Sequence, residues 1–315
     1  MLGISRSQIG LIGIDVEDDQ IELAQLEDNG NGLALLAGAI RHRPPDTAVA
    51  SSKWQRWVLQ VVSDLTGNGG FKGKEVIASV PSRELFIDHL KMPKAPKSKI
   101  DQMLLQKIKQ RLPFPSEQAI VKYIPTEEDN VLVTVMDREK IDRHLAVYEK
   151  AGLNINSIGI WPIAVAKTYT RFFGRRKTDR EAVVLILDMA PKHCNLLICR
   201  HQKPLYAKNI PTGIEDFADG DALKRFMLEL NTCRRYFSSL YKKPTIERTI
   251  FLAGAPGGVQ SQKILAAIAR QMELPAQMGN CMAAIAVSGD GNLIERRDCN
   301  VSWATAFGLS LSSFN

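Results

Sequence analysis

The chain has 315 residues, of which 45% are hydrophobic and 24% are charged, and its formal net charge is +7. This composition supports a large core and excludes an intrinsically disordered protein, and the length allows two domains or one large two-lobed unit. The apolar runs fall far short of the ~20 residues that cross a bilayer, and the N-terminus lacks a signal-peptide pattern, so we expect a cytoplasmic protein. The five cysteines have no CxxC spacing and are expected to be reduced packing residues.

The positive charge is concentrated in four segments, at residues 91–99, 107–111, 171–180 and 234–243. Such segments can attract nucleic acids or an anionic membrane surface, although a solvated protein surface is the simpler interpretation. Aromatic residues are not interleaved with them, so a stacking platform for single-stranded nucleic acid is not expected.

The N-terminal segment predicts a first lobe. An apolar run at 10–15 ends in Asp15, and a second strand follows a polar turn at 21–26. The next predicted elements are a strand at 33–40, a helix at 54–65 and a strand at 76–80. Residues 1–81, joined by a return segment at 151–175, are assigned to this lobe.

Residues 82–150 predict an inserted α+β subdomain. Ser98 is a candidate N-cap for a helix that runs to Leu112, and Pro113-Phe-Pro115 ends that helix. Gly152 occupies the C-cap position of a second helix. The predicted elements are a strand at 85–90, the helix at 98–112, strands at 119–124 and 131–136, and the helix at 138–151.

The remaining sequence predicts a return to the first lobe and then a second lobe. A strand at 155–160 and a helix at 162–173 precede a polar hinge at 174–180. Residues 181–315 form the second lobe, which opens with a repeat of the first hairpin whose initial strand ends in Asp188. Its predicted elements are strands at 182–188, 194–199 and 204–210, a helix at 223–241, a strand at 248–253, and helices at 259–272 and 301–312.

The turns of the repeated hairpin indicate a fold rather than a catalytic site. Duplicated hairpins hold the phosphates in two-lobed nucleotide-binding folds, normally through glycine, serine or threonine donors. Here the turns read Val-Glu-Asp-Asp-Gln at 16–20 and Met-Ala-Pro-Lys-His at 189–193. The histidines are scattered and there is no P-loop, so neither a catalytic residue nor a metal ligand is predicted.

A series of short segments, taken in order and spacing, resembles the PilM family, the cytoplasmic actin-like proteins of type IV pilus assembly, and its relatives in mannose-sensitive pilus systems. The segments are Gly-Ile-Asp at 13–15, Ser-Val-Pro-Ser-Arg-Glu-Leu-Phe at 79–86, Leu-Pro-Phe-Pro-Ser-Glu at 112–117, Ala-Gly-Leu at 151–153, Trp-Pro-Ile-Ala at 161–164, Ile-Pro-Thr-Gly at 210–213, Phe-Leu-Ala-Gly at 251–254, and residues 304–309.

The resemblance implies an α/β, bilobal actin-like fold, in which two RNase H-like lobes face a nucleotide cleft and carry an inserted small α+β subdomain. It also implies a reduced fourth subdomain near 214–241, because only nine residues separate Gly213 from Leu223 where the family has a longer helical insertion.

The resemblance further implies a scaffold at the cytoplasmic face of the bacterial inner membrane. Family members bind the N-terminal tail of PilN in a groove beside the inserted subdomain and so join the PilN–PilO alignment complex. Further copies of this chain are another expected partner, whereas nucleic acid and direct membrane insertion are not expected. The residues expected at the groove are Arg83, Phe86, Pro113, Phe114 and Pro115.

A nucleotide site is the second implication, with ATP and magnesium as candidate cofactors. Asp15 and Asp188 stand where the family holds magnesium-bound water, although an aspartate also caps a turn in any fold. Gly254 and Gly257 belong to a glycine turn that could pass beneath an adenine, although many such turns are purely structural.

The first turn opposes nucleotide binding, because Glu17, Asp18 and Asp19 add three negative charges where a triphosphate would lie. In a partly dry cleft this repulsion amounts to several kcal/mol. Glu22 stands where the family has a lysine, and Asn195 stands near an expected threonine. We therefore expect a degenerate member that does not hydrolyse nucleotide.

Two other functions stay open at this point. An active ATPase or sugar-type kinase would need intact phosphate turns and a polar substrate pocket. A polymerising membrane-peripheral protein would call for an amphipathic helix after a linker, whereas this sequence runs to Asn315 directly from the last predicted helix. The sequence does not distinguish which pilus system would be served.

Overall fold

A computed structural model describes residues 8–30, 32–92, 94–253, 259–288 and 301–314. Its first lobe is built on a six-stranded sheet with the order β14-β3-β2-β1-β4-β8, in which β1, β2 and β3 form an antiparallel meander and β4 runs parallel to β1. The strands are β1 (Gln8–Val16), β2 (Gln20–Asp28), β3 (Leu33–His42), β4 (Glu75–Ser79), β8 (Asn154–Gly159) and β14 (Ala286–Val287).

The second lobe repeats this arrangement. Its five-stranded sheet has the order β11-β10-β9-β12-β13, with an antiparallel hairpin followed by parallel strands. The strands are β9 (Val183–Met189), β10 (Cys194–Arg200), β11 (Lys203–Ile210), β12 (Ile246–Leu252) and β13 (Ala276–Gly279). The repeated hairpin predicted from the sequence is therefore the topological core of each lobe.

The helices cover the faces of these sheets, because their apolar residues recur at helical spacing. They are α1 (Ser52–Asn68), α2 (Lys97–Ile108), α3 (Arg138–Lys150), α4 (Trp161–Phe172), α5 (Lys177–Glu181), α6 (Gly220–Leu240), α7 (Val259–Met272) and α8 (Ala304–Leu311). Helices α1 and α3 bury Trp54, Val58 and Tyr148 against the outer face of the first sheet. Helices α6 and α7 bury Phe226 and Ile268 against the second sheet.

Helices α4 and α8 lie between the two sheets and join their cores. Tyr169 and Phe307 share one apolar cluster with Leu26 of the first sheet and Ile186 of the second. The helices approach so closely that a Cβ on Gly308 would lie 2.0 Å from a backbone oxygen of α4. The two lobes are thus continuous through a common helical layer.

The inserted segment forms a three-stranded antiparallel sheet with the order β5-β7-β6, made of β5 (Phe86–Lys91), β7 (Asn130–Asp137) and β6 (Ala119–Pro125). Helix α2 packs Ile100, Leu104 and Ile108 onto Val133 and Val135 of this sheet. Helix α3, which the sequence placed in the same unit, contributes side chains to the core of the first lobe.

Several local predictions were wrong. Ser98 is not an N-cap: α2 begins at Lys97, and Pro96 fills the cap position with extended backbone and no side-chain bond. The helix ends at Ile108, and a 3₁₀ turn then runs over residues 109–111. The hinge contains the short helix α5, whose buried Asp179 accepts the Arg176 N–H.

Candidate functional site: the interlobe cleft and the subdomain groove

The interlobe cleft contains the two aspartates predicted from the repeat. Asp15 lies near the end of β1, where its carboxylate accepts the Ser79 hydroxyl, and Asp188 lies near the end of β9. Burial raises the pKa of Asp15 to about 6 and that of Asp188 to about 7. The negative charge of Asp15 raises the pKa of Asp188 further, while a hydrogen bond from Ser302 opposes the rise.

Three more carboxyl groups, those of Glu17, Asp19 and Glu22, share this cleft. Burial is the largest cause of a raised pKa for each of them. The charge of Asp15 raises the pKa of both glutamates further. Neither carboxylate oxygen of Asp19 has a hydrogen-bond partner. A bound triphosphate would add negative charge to this group of carboxyls and would raise their pKa values further.

The Glu17 carboxylate occupies hydrogen-bond donors at the mouth of the cleft. It accepts the Ser82 backbone N–H at 3.0 and 3.1 Å and also the Ser82 hydroxyl. His193 Nε2 lies 3.9 Å from the same carboxylate, and burial lowers the pKa of this histidine. An external anion at this position would have to compete with Glu17 for the same donors.

A chain of hydrogen bonds continues from Ser82 into the second lobe. Asn195 Nδ2 donates to Ser82 Oγ at 2.9 Å, and Asn209 Nδ2 donates to Asn195 Oδ1 at 2.9 Å. Asn195 and Ser82 are buried. Asn195 therefore connects the second lobe to the segment that opens the inserted subdomain.

The second turn, residues 189–193, is held by its own neighbours. The backbone N–H groups of Ile214 and Glu215 donate to Ala190 O and Pro191 O, both at 3.0 Å. A Cβ on Gly213 would lie 2.3 Å from Pro191 O, so the chain after β11 rests directly on the turn. This close backbone contact explains the glycine at 213.

Among the residues that the structure describes, the interlobe cleft lacks the features that would hold magnesium and a nucleotide. Over the ranges that the structure describes, no group of three or more histidine, cysteine or acidic side chains has a metal-binding arrangement. The first turn presents the carboxyls of Glu17 and Asp19, whose pKa values burial raises, and the carbonyls of Ala190 and Pro191 in the second turn already accept backbone hydrogen bonds. The residues present do not fit a magnesium–triphosphate complex. Gly254 and Gly257, predicted at an adenine pocket, lie outside the described residues.

A separate groove of about 610 Å³ lies between the inserted subdomain and the second lobe. Arg83, Phe86, Pro113 and Phe114, which the sequence placed at a partner site, all line it. Pro115 is not among the lining residues and immediately precedes a 3₁₀ turn at 116–118. The structure thus brings together four of the five predicted positions.

The opposite wall of the groove is aromatic and belongs to the second lobe. Tyr206 on β11 and Tyr236 on α6 line it, and the His89 ring stacks on Tyr206 with centroids 4.3 Å apart. His89 Nε2 accepts the Ala207 N–H at 3.2 Å. Burial lowers the pKa of His89 to about 3, so the ring is neutral and can accept this bond.

Arg83 links the groove to the cleft. It forms ion pairs with Asp18 of the first turn and, at 3.6 Å, with Glu84. Glu84 Oε2 also lies within hydrogen-bond distance, 3.1 Å, of Nε2 of the buried His144. Arg83 was predicted at the groove only because it belongs to the motif at residues 79–86. No pattern in the sequence predicted that His89 or Tyr206 would line the groove.

Comparison with known proteins shows the fold. No family model matches the chain, and no curated protein matches its sequence. A solved PilM–PilN type IV pilus biogenesis complex superposes with a TM-score of 0.77 and 18% identity, covering 97% of this chain and 99% of that chain. The ethanolamine utilization protein EutJ from Carboxydothermus hydrogenoformans gives a TM-score of 0.51 at 11% identity, covering 96% and 89%.

The cytoplasmic domain of EpsL from the Vibrio cholerae type II secretion system gives a TM-score of 0.49 at 8% identity, covering 85% of this chain and 97% of that domain. The chain has an α/β actin-like ATPase fold with several mixed sheets. In the described part of the chain, no helix has both the length and the apolarity to span a membrane.

Proposed function

We propose that this protein is a cytoplasmic scaffold of a type IV pilus assembly platform at the bacterial inner membrane. Its partner is the N-terminal cytoplasmic tail of a PilN-like protein, through which it joins a PilN–PilO complex. The observation that carries the proposal is the groove beside the inserted subdomain, on a fold that superposes over 97% of its length on a structure of a PilM–PilN complex.

The chemistry of the groove suits a short peptide. Phe86, Phe114, Tyr206 and Tyr236 offer apolar and aromatic surface, and the Tyr236 side chain is exposed. Arg83 also lines the groove, and a guanidinium group can bind a carbonyl or carboxylate. Aromatic residues and arginine are the side chains that most often dominate binding energy at interfaces.

The cleft supports a scaffold rather than an active ATPase or sugar-type kinase. Either enzyme must place a triphosphate between the turns, where Glu17 and Glu22 are buried, Asp19 is half-buried, and all three carboxyls have raised pKa values. We therefore assign the protein a structural role, with Asp15 and Asp188 as remnants of the nucleotide site.

A peptide titration tests the partner. The probe is a synthetic peptide of the N-terminal tail of a PilN-like protein encoded beside this chain, measured by isothermal titration calorimetry. We expect binding that weakens at least tenfold in Arg83→Ala and in Phe114→Ala. The matched control is Arg56→Ala, an exposed arginine on α1 that does not line the groove. No binding by the wild type, or equal binding by all variants, would refute the proposed partner site.

A second titration addresses the cleft. The wild type is titrated with ATP and magnesium, and phosphate release is followed. We expect neither binding in the micromolar range nor turnover. Measured hydrolysis that Asp15→Asn abolishes would establish the ATPase alternative instead.

A further inference from the structure

A second cavity, of about 740 Å³, lies where the two lobes join, and we call it the hinge cavity. Lys167 and Arg171 reach it from α4, Arg175 from the following loop, and Arg180 from α5. The turn between β10 and β11 adds His201 from the second lobe. The basic segment 171–180 of the sequence, which the proposed function leaves unexplained, therefore surrounds a concave site.

The wall of the hinge cavity carries four formal positive charges and one carboxylate. Asp28 supplies the carboxylate, one oxygen of which accepts the Gly30 N–H at 3.0 Å. Lys167 Nζ donates to Ser312 Oγ at 2.9 Å, and Arg175 Nε donates to Arg171 O at 2.7 Å. Within the described ranges, none of the four cations forms an ion pair.

One acidic neighbour of these cations already has an ionic and a hydrogen-bonding partner. Asp179, next to Arg180 on α5, is buried, pairs with Arg248 at 2.8 Å and accepts the Arg176 N–H at 2.9 Å. Elsewhere on the surface comparable cations do have partners, as in the Arg200–Glu127 pair at 2.6 Å. Among the described residues that line the hinge cavity, Asp28 is therefore the one carboxylate beside the four cations.

Two groups that line the hinge cavity have pKa values below their ordinary values. Partial burial lowers the pKa of Lys167. Burial, followed by the charge of Arg180, lowers the pKa of His201. Both shifts mean that a positive charge is disfavoured at the wall as it stands, and a bound anion would reverse that effect.

We propose that the hinge cavity binds a small phosphate-bearing ligand. Its volume lies in the range of small-molecule sites, about 300–1,000 Å³. Guanidinium groups bind phosphate oxygens in a bidentate manner, and a lysine adds a point charge. Leu33, Phe172 and Phe314 supply apolar wall that can cover the non-phosphate part of such a ligand.

The shape of the site favours a small ligand over a membrane or an acidic peptide. The cations converge on one concavity from α4, its following loop and α5, rather than spreading over a flat face. Because Lys167 belongs to the helix shared by the lobes and His201 to the second lobe, a ligand in contact with both would hold their relative orientation. Ligand binding is therefore expected to raise the thermal stability of the whole chain.

Sodium tripolyphosphate is the probe, measured by calorimetry and by thermal unfolding in about 50 mM salt. We expect saturable binding and a rise in the unfolding temperature. In Arg171→Glu/Arg180→Glu the dissociation constant should rise at least tenfold. Arg56→Glu/Arg235→Glu changes the net charge equally at exposed positions away from the cavity and should bind like the wild type.

The milder pair Arg171→Gln/Arg180→Gln is measured alongside, and it should weaken binding in the same direction if the charge-reversed pair does not fold. Absence of tripolyphosphate binding by the wild type would overturn the proposal, as would equal weakening in the control pair. Binding of a glutamate decapeptide or of anionic vesicles through Arg171 and Arg180, without tripolyphosphate binding, would assign the surface to a different class of partner and would also overturn it.

Discussion

The raised pKa of Asp188 predicts that this buried carboxyl lowers the stability of the fold at neutral pH. Its side chain is buried and its pKa is raised from the ordinary value of 3.8 to about 7. In the unfolded chain the carboxyl is ionised above about pH 4, while in the folded chain it keeps its proton up to about pH 7. The folded state therefore binds more protons between these values, and its stability falls as the pH rises through this window.

The size of the effect follows from the same shift. At about 1.4 kcal/mol per pH unit, a difference of about three units corresponds to roughly 4 kcal/mol. Asp188→Asn keeps the size of the side chain and an oxygen that can accept the bond from Ser302, but removes the titration. We expect the variant to gain up to about 4 kcal/mol relative to the wild type between pH 4 and pH 8.

Urea unfolding at pH 4, 6 and 8 measures this gain. The matched control is Asp64→Asn, an exposed aspartate on α1, which should keep the pH dependence of the wild type. If Asp188→Asn is destabilised equally at all three pH values, the aspartate is ionised and partnered in the folded protein, and our account of the cleft is wrong.

Three further predictions test other parts of the fold. Asn195→Ala removes the hydrogen bonds to Ser82 and Asn209, and it should lower the free energy of unfolding by about 1–3 kcal/mol because buried polar groups lose their partners. Urea unfolding measures this change, and an unchanged stability would contradict the role of Asn195 in connecting the second lobe to the segment that opens the inserted subdomain. Gly308→Ala should strongly lower the midpoint temperature of unfolding, because the added Cβ would lie 2.0 Å from a backbone oxygen of α4. The control Gly220→Ala should leave the midpoint nearly unchanged, because its added Cβ meets nothing within 4 Å. Equal midpoints for the two variants would refute the close packing. The pKa of His89 is about 3 in the folded chain, compared with about 6.5 in the unfolded chain, so the neutral ring stabilises the fold fully above pH 6.5 and this stability is lost as the pH falls towards 3. Between pH 6.5 and 5 the wild type should therefore lose about 2 kcal/mol more of its unfolding free energy than His89→Gln. Parallel acid profiles of the two proteins in urea unfolding would contradict this.

Much of the fold was predictable because it is encoded in local patterns. The repeated hairpin gave both sheet cores and placed Asp15 and Asp188 near equivalent strand ends, and the comparison with solved structures confirms the actin-like fold. Strands β13 and β14 were missed because four and two residues are too short to show a period of two. The predicted Ser98 cap was wrong because the helix begins one residue earlier, at Lys97, with Pro96 in the cap position.

The candidate site was less predictable because it depends on contacts between distant residues. The sequence shows a negative charge at Glu17 in the first turn, but the bond between Glu17 and Ser82 spans 65 positions and has no local signature. The position of His89 in the groove could not be predicted from the sequence, because it depends on contacts with Tyr206 and Ala207 of the edge strand β11. Such roles become visible only when the subdomains are placed together.

The contacts of the first turn show that its acidic residues have a structural role. Glu17 bonds to Ser82, and Asp18 pairs with Arg83, so two adjacent acidic residues hold the 3₁₀ turn that opens the inserted subdomain. Arg83 in turn lines the groove, which makes one short segment common to the cleft and to the proposed partner site. The acidic residues that we propose disfavour a triphosphate therefore also tether the inserted subdomain to the first lobe, and so support the groove.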